Sequence, residues 1–136
     1  MNTARMLELA DIIERTGRVD LGSFITLNGC DAPRLPAGVV ETNCDTTGCI
    51  AGWACAIWSP DTDRGYGATA AALLDLTTAE ANTLFYDQDN LWCEAFNLET
   101  DDENRPVDFD TYEEACRNPH LVADMLRRIA SGELTL

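Results

Sequence analysis

Lysine is absent from the chain, histidine occurs once, at His120, and all nine basic residues are arginine against 24 acids. With a formal net charge of −15 the chain lacks the basic face that phosphate contacts need, which excludes sequence-independent binding to DNA or RNA. The same deficit argues against anionic membrane surfaces. No apolar run approaches the ~20 residues of a bilayer-spanning helix. The first sixteen residues, MNTARMLELADIIERT, carry acids through their apolar stretch and do not read as a secretory signal, so the expected location is cytoplasmic. There is no glycine loop of either common phosphate-binding type, and no repeat or low-complexity segment. Acids are spread so widely that no spacing singles out a carboxylate pair for glycoside chemistry.

What is present fits one folded domain over residues 1–136, with 46% hydrophobic residues, ordinary for a globular protein and too high for a disordered one. Codon bias or a salt-adapted host would each replace Lys by Arg, but neither predicts where acids sit. Residues 87–114 hold eleven acids against Arg105 alone, so most of the net charge lies in one fifth of the chain.

Periodicity predicts an all-α domain, an irregular compact bundle of five to seven short helices with a long ordered loop over 18–45 that has room for a small β-hairpin. Met6, Leu9, Ala10 and Ile13 mark one apolar face of a first helix over Thr3–Thr16, stopped at Gly17. In the loop, Phe24–Leu27 and Val39–Val40 have extended character, Asn28-Gly29 is a turn signal, and Pro33 and Pro36 break regular structure. A second helix is expected over Thr47–Trp58 after the capping types Asp45, Thr46 and Thr47. Gly48, Gly52 and Ala56 form a small-residue stripe on it, which predicts close approach by a neighbouring helix. Further helices are expected over Ala68–Leu76, from a Thr77–Glu80 capping box to Tyr86, over Leu91–Phe96 with Asn90 as cap, and from an Asp110/Glu113 capping box to Arg117. The last begins at Asn118-Pro119, buries Leu121, Val122, Met125, Leu126 and Ile129, ends at Ser131-Gly132, and has Arg127 and Arg128 in its last turn. An acidic loop over 97–109 separates the last two pairs.

The six cysteines, Cys30, Cys44, Cys49, Cys55, Cys93 and Cys116, are expected as buried free thiols. Cys44-x4-Cys49 is loose for a zinc site and no second close pair follows, so no metal is expected. Cys49 near a helix N-terminus with His120 as base is the one nucleophile arrangement available, and it is set below the packing role because one histidine at a helix start ordinarily caps or faces solvent. Asp61-x-Asp63-x-Gly65 and Asp87-x-Asp89 lack the glycine and terminal glutamate of a calcium loop and read as turns and caps. No cofactor is expected.

The segment Cys44-Asp45-Thr46-Thr47-Gly48-Cys49-Ile50-Ala51-Gly52-Trp53-Ala54 resembles a pattern of small proteins from phages, prophages and their bacterial hosts, commonly Cys-Gly-Thr-x-x-Cys-Ile-Ala-Gly followed by Trp or His. The resemblance continues through Leu73–Ala81 and Leu84-Phe85, where such proteins show Leu-Gly-Leu-Thr-x-x-Glu-Ala and then Leu-Phe. It covers residues 44–86; this chain has Asp45 where the pattern has Gly, and Phe24–Leu27 matches the Phe-x-Met-x-x-Trp stretch only loosely. The resemblance implies a small, phage-type fold located in the cytoplasm of the host cell, and brings no activity with it.

Charge and resemblance together lead to a functional expectation. A small acidic phage-type protein is expected to be non-enzymatic and to act as a stoichiometric inhibitor of a host nucleic-acid-handling complex, such as a CRISPR–Cas defence system, by nucleic-acid mimicry. The step to anti-CRISPR proteins is analogy. The expected partner is a host protein or complex with a basic surface, met by Glu99, Asp101, Asp102, Glu103, Asp108, Asp110, Glu113 and Glu114. The competing expectations are a structural or regulatory interaction protein without a basic-groove target, and a small Cys- or metal-dependent enzyme.

Overall fold

The computed structural model describes residues 1–22, 25–27, 30–31, 46–59 and 66–136. Its class is all-α: seven helices among the described residues, with one three-stranded sheet of very short strands. The elements are α1 (Thr3–Thr16), β1 (Ile25–Leu27), β2 (Cys30–Asp31), β3 (Thr46–Gly48), α2 (Ile50–Trp58), α3 (Tyr66–Leu73), α4 (Thr78–Tyr86), α5 (Leu91–Ala95), α6 (Phe109–Cys116) and α7 (Pro119–Ser131).

α1 and α7 share the longest helix–helix interface, and α2 packs along α3. α1 buries Met6, Leu9, Ala10, Ile12 and Ile13, and Gly17 ends it in the left-handed region at φ 67°, where a side chain would be strained. Trp53 on α2 is fully buried, and its indole Nε1 donates to the Arg18 carbonyl at 2.8 Å, tying the central helix to the chain leaving α1. The opposite end of α1 is fixed too: the backbone N–H of Asn2 donates to the Leu74 carbonyl, and Arg5 reaches the Leu73 carbonyl at 2.8 Å.

Antiparallel β1 pairs with β2 through Leu27↔Cys30 and with β3 through Ile25↔Gly48, Thr26↔Thr47 and Leu27↔Thr46. A small hairpin therefore lies within 18–45, with Asn28 and Gly29, outside the described residues, between its strands. Val39–Val40, Pro33 and Pro36 also lie outside them.

Several boundaries differ from the sequence expectation. Thr46–Gly48 is a strand, so α2 starts at Ile50 and the expected stripe loses Gly48. Two β-branched threonines favour pleated pairing over a helical first turn. The cap is Cys49, whose Sγ accepts from the Gly52 N–H at 3.4 Å. α3 begins at Tyr66 and stops at Leu73, followed by Asp75 in the left-handed region at φ 53°. The Thr77–Glu80 capping box is present with both reciprocal bonds. Asn90 makes no side-chain cap; Asp87 does that work from three residues earlier, as described below.

Asp110 and Glu113 do not form a capping box. Asp108 caps α6, accepting from the Thr111 N–H at 3.2 Å and the Thr111 hydroxyl at 2.8 Å, which leaves Asp110 in the first turn. Asn118 caps α7 with Pro119 behind it and Gly132 closes it, but Leu121 is exposed and Arg127 lies before the last turn. Leu121 sits on the solvent side of the stripe formed by Val122, Met125, Leu126 and Ile129. Arg127 instead bridges to Asp11 at 2.7 Å and to Glu14, pinning α7 to α1.

Candidate functional site

The acidic segment is an ordered turn followed by a helix. Thr100 and Pro106 form an antiparallel bridge, and the Val107 N–H donates to the Glu99 carbonyl at 3.0 Å, closing a tight hairpin around 101–105. Asp101 organises its tip. One carboxylate oxygen accepts from the Glu103 and Arg105 backbone N–H groups at 2.9 Å each, and the other accepts from Arg105 Nε at 3.0 Å. Those donors hold the Asp101 carboxyl below the usual range, and the Thr111 donors do the same for Asp108.

The eight expected docking acids therefore divide by role. Asp101 and Asp108 serve their own turn and cap, and Glu103 shares Arg105 at 3.1 Å. Glu99, Asp102, Asp110, Glu113 and Glu114 are exposed and have no ion pair among the described residues. Three arginines elsewhere are matched with acids: Arg117 with Asp20, Arg127 with Asp11 and Glu14, Arg128 with Glu133. Unmatched negative charge thus concentrates on this ridge. Val107 and Phe109 stand among the acids 62% and 60% exposed, the two largest exposures of any bulky apolar side chain described.

Beside the ridge lies a cleft of about 380 Å³, between α6, Trp92 of α5, and Asp20 and Gly22 after α1. Sequence reasoning missed it, because its walls come from three distant segments. The chain after α1 is held against α6 by the Leu21 N–H, which donates to the Cys116 carbonyl at 3.1 Å.

One cleft wall is a ladder of rings. Trp92 and Tyr112 stack at 6.3 Å between centroids, and Tyr112 and Phe109 at 6.0 Å. Asp87 fixes the ladder from behind. One of its oxygens accepts from the Trp92 N–H at 2.8 Å, and the other accepts from the Tyr112 hydroxyl at 3.0 Å. The Trp92 indole donates to the Leu84 carbonyl at 3.0 Å. Burial raises the Asp87 carboxyl above its ordinary value against the pull of those two donors, and burial together with the Asp87 charge drives the Tyr112 phenol far up. The signal in the sequence was Asp87-x-Asp89, which read as turn and cap. Asp87 does cap α5, and Asp89 accepts from the buried Thr83 hydroxyl at 2.9 Å.

The thiol chemistry is set by burial. Cys49, Cys55, Cys93 and Cys116 are free and buried. Desolvation pushes Cys49 up to about 11 and Cys55 and Cys116 up to about 12, so all three stay protonated near neutrality. The single histidine, His120, is exposed at the start of α7, with its Nδ1 3.4 Å from a Glu14 carboxylate oxygen on α1. Among the described residues no group of three or more His, Cys, Asp or Glu is placed to hold a metal ion, and no helix is long and apolar enough to cross a membrane. Cys44 and the Asp61-x-Asp63-x-Gly65 stretch lie outside the described residues, and the side chain of Cys30 is not described.

No protein-family model, curated protein or solved structure matches the chain.

Proposed function

We propose that the protein is a non-enzymatic, stoichiometric inhibitor of phage type that docks its acidic ridge on the basic nucleic-acid-binding surface of a host complex, a CRISPR–Cas-like defence system being the leading candidate. The observation that carries this reading is the ridge itself. Five unpaired, exposed carboxylates, Glu99, Asp102, Asp110, Glu113 and Glu114, stand on an ordered hairpin and helix, while Arg117, Arg127 and Arg128 are occupied by other acids. A fixed negative surface steers encounter with a basic groove and repels nucleic acid from it. Exposed Val107 and Phe109 within that charge supply the apolar centre that a protein interface uses and a merely solubilising surface lacks.

The test is capture from host lysate on the immobilised protein, with and without excess DNA or RNA, against a variant carrying Glu99→Gln, Asp102→Asn, Asp110→Asn and Glu114→Gln. The reading expects a nucleic-acid-binding complex that is captured by the wild type, displaced by nucleic acid, and lost with the variant. Capture that is indifferent to both nucleic acid and the four substitutions supports the structural or regulatory reading instead.

A further inference from the structure

The cleft beside the ridge has a chemistry of its own. Its ring ladder ends at Phe109, which is 60% exposed, so aromatic surface remains uncovered at the mouth. The middle ring, Tyr112, donates its hydroxyl proton to a carboxylate, which leaves the ring electron-rich. Two carboxylates, Asp20 and Glu113, line the cleft against one guanidinium, Arg117. Arg117 already leans on Asp20, Nε to Oδ2 at 3.5 Å, whereas Glu113 has no ion pair among the described residues. Electron-rich ring faces beside an uncommitted carboxylate select a planar, weakly hydrated cation over a compact ammonium.

We propose that this cleft takes an arginine side chain of the partner, its guanidinium laid against the uncovered face of Phe109, which Tyr112 backs, and paired with Glu113. The proposal rests on the docking reading only for the source of that arginine. In a nucleic-acid-binding groove arginine is an abundant exposed cation. The ridge would then supply steering, and the cleft a buried anchor of the kind that dominates interface energies.

The test titrates the isotope-labelled full chain with acetyl-arginine-amide, acetyl-lysine-amide or acetate, followed by NMR. Saturable shifts are expected on the Phe109 and Tyr112 rings and on Glu113 with the arginine probe, and about fivefold weaker binding is expected with lysine. Phe109→Ala and Glu113→Gln should each weaken the arginine probe about fivefold or more, whereas Phe109→Tyr should keep it. Phe109 and Glu113 are exposed, so these variants should melt as the wild type does. Absence of saturable shifts at these residues overturns the proposal, as does an equal response to lysine or preferential binding of acetate beside Arg117. The four-acid variant separates this claim from the docking reading. If it loses capture of the complex while Phe109→Ala captures normally, the ridge stands and the arginine anchor falls. If the arginine probe binds as expected and Phe109→Ala loses capture while the four-acid variant captures normally, the cleft stands and the docking reading falls.

Discussion

Replacing Asp87 by alanine removes the carboxylate that bonds both Trp92 and Tyr112 of the cleft wall. Its two oxygens accept from the Trp92 N–H at 2.8 Å and the Tyr112 hydroxyl at 3.0 Å, and its backbone sits at φ 53°. Each bond to a charged acceptor contributes about 1.5–3 kcal/mol. Alanine in the left-handed region adds about 1 kcal/mol of strain. Relief of the buried charge, the cause of the raised Asp87 carboxyl, offsets part of this. The net expectation is a loss of about 2–4 kcal/mol, with guanidinium binding weakened because Tyr112 is no longer fixed. Asp87→Asn keeps an acceptor for the Trp92 N–H and tolerates the backbone, so it should lose only about 1 kcal/mol. Urea unfolding followed by tryptophan fluorescence and circular dichroism, at unchanged m-value, measures both. An alanine variant within about 0.5 kcal/mol of the wild type would refute the assignment of Asp87 as the ladder's support.

Three further outcomes follow from the core and the charges. Gly52 is buried on α2, and Gly52→Leu should destabilise by about 2–4 kcal/mol through overpacking, read as a fall in melting temperature. Cys49, Cys55, Cys93 and Cys116 should resist a thiol reagent in the native protein at neutral pH and react once it is denatured; fast native labelling would contradict their burial. Acid should destabilise the fold through the carboxyls whose native values are lowered: Glu14 and Glu80 from 4.5, Asp101 and Asp108 from 3.8. Their contribution is present above those ordinary values and disappears as pH falls through the lowered native ones. Asp87 has the opposite sign, since its native value is raised above 3.8 and its contribution is lost as pH rises through that value. Melting temperature should therefore drop more steeply in acid for Asp87→Asn than for the wild type, and a shallower drop would show the sign to be wrong.

Local grammar carried most of the helical fold. Gly17, Thr77–Glu80, Asn118-Pro119 and Gly132 all act at the ends that their chemistry marks. The misreadings arose where a tertiary partner competes with a local rule. Thr46 and Thr47 are good caps in isolation, but β1 recruits them into a sheet from twenty residues away. Asp110 has capping-box spacing to Glu113, yet Asp108 wins because its carboxylate reaches both donors of Thr111. Leu121 belongs to the apolar composition of α7 but not to its buried stripe.

The acidic ridge was legible as charge and not as structure. Composition located the surplus of acids in residues 87–114, but could not separate Asp101, which builds the hairpin tip, from Asp102, which faces solvent beside it. The cleft was not legible at all. Asp20, Trp92, Tyr112 and Arg117 share no motif, and what joins them is the contact of the chain after α1 with the end of α6.

In the proposed function, unpaired carboxylates on the ridge engage a basic nucleic-acid-binding surface. The association rate with the captured host complex, measured from low to high salt for the wild type and for the variant with Glu99→Gln, Asp102→Asn, Asp110→Asn and Glu114→Gln, tests this engagement most directly. Asp101 and Asp108 are left intact because they hold the hairpin and the α6 cap. Wild-type association should slow steeply as salt rises, the variant should be slower by about tenfold or more at low salt, and the two should converge once salt screens the field. Equal rates at every salt concentration, with no competition from DNA or RNA, would contradict it.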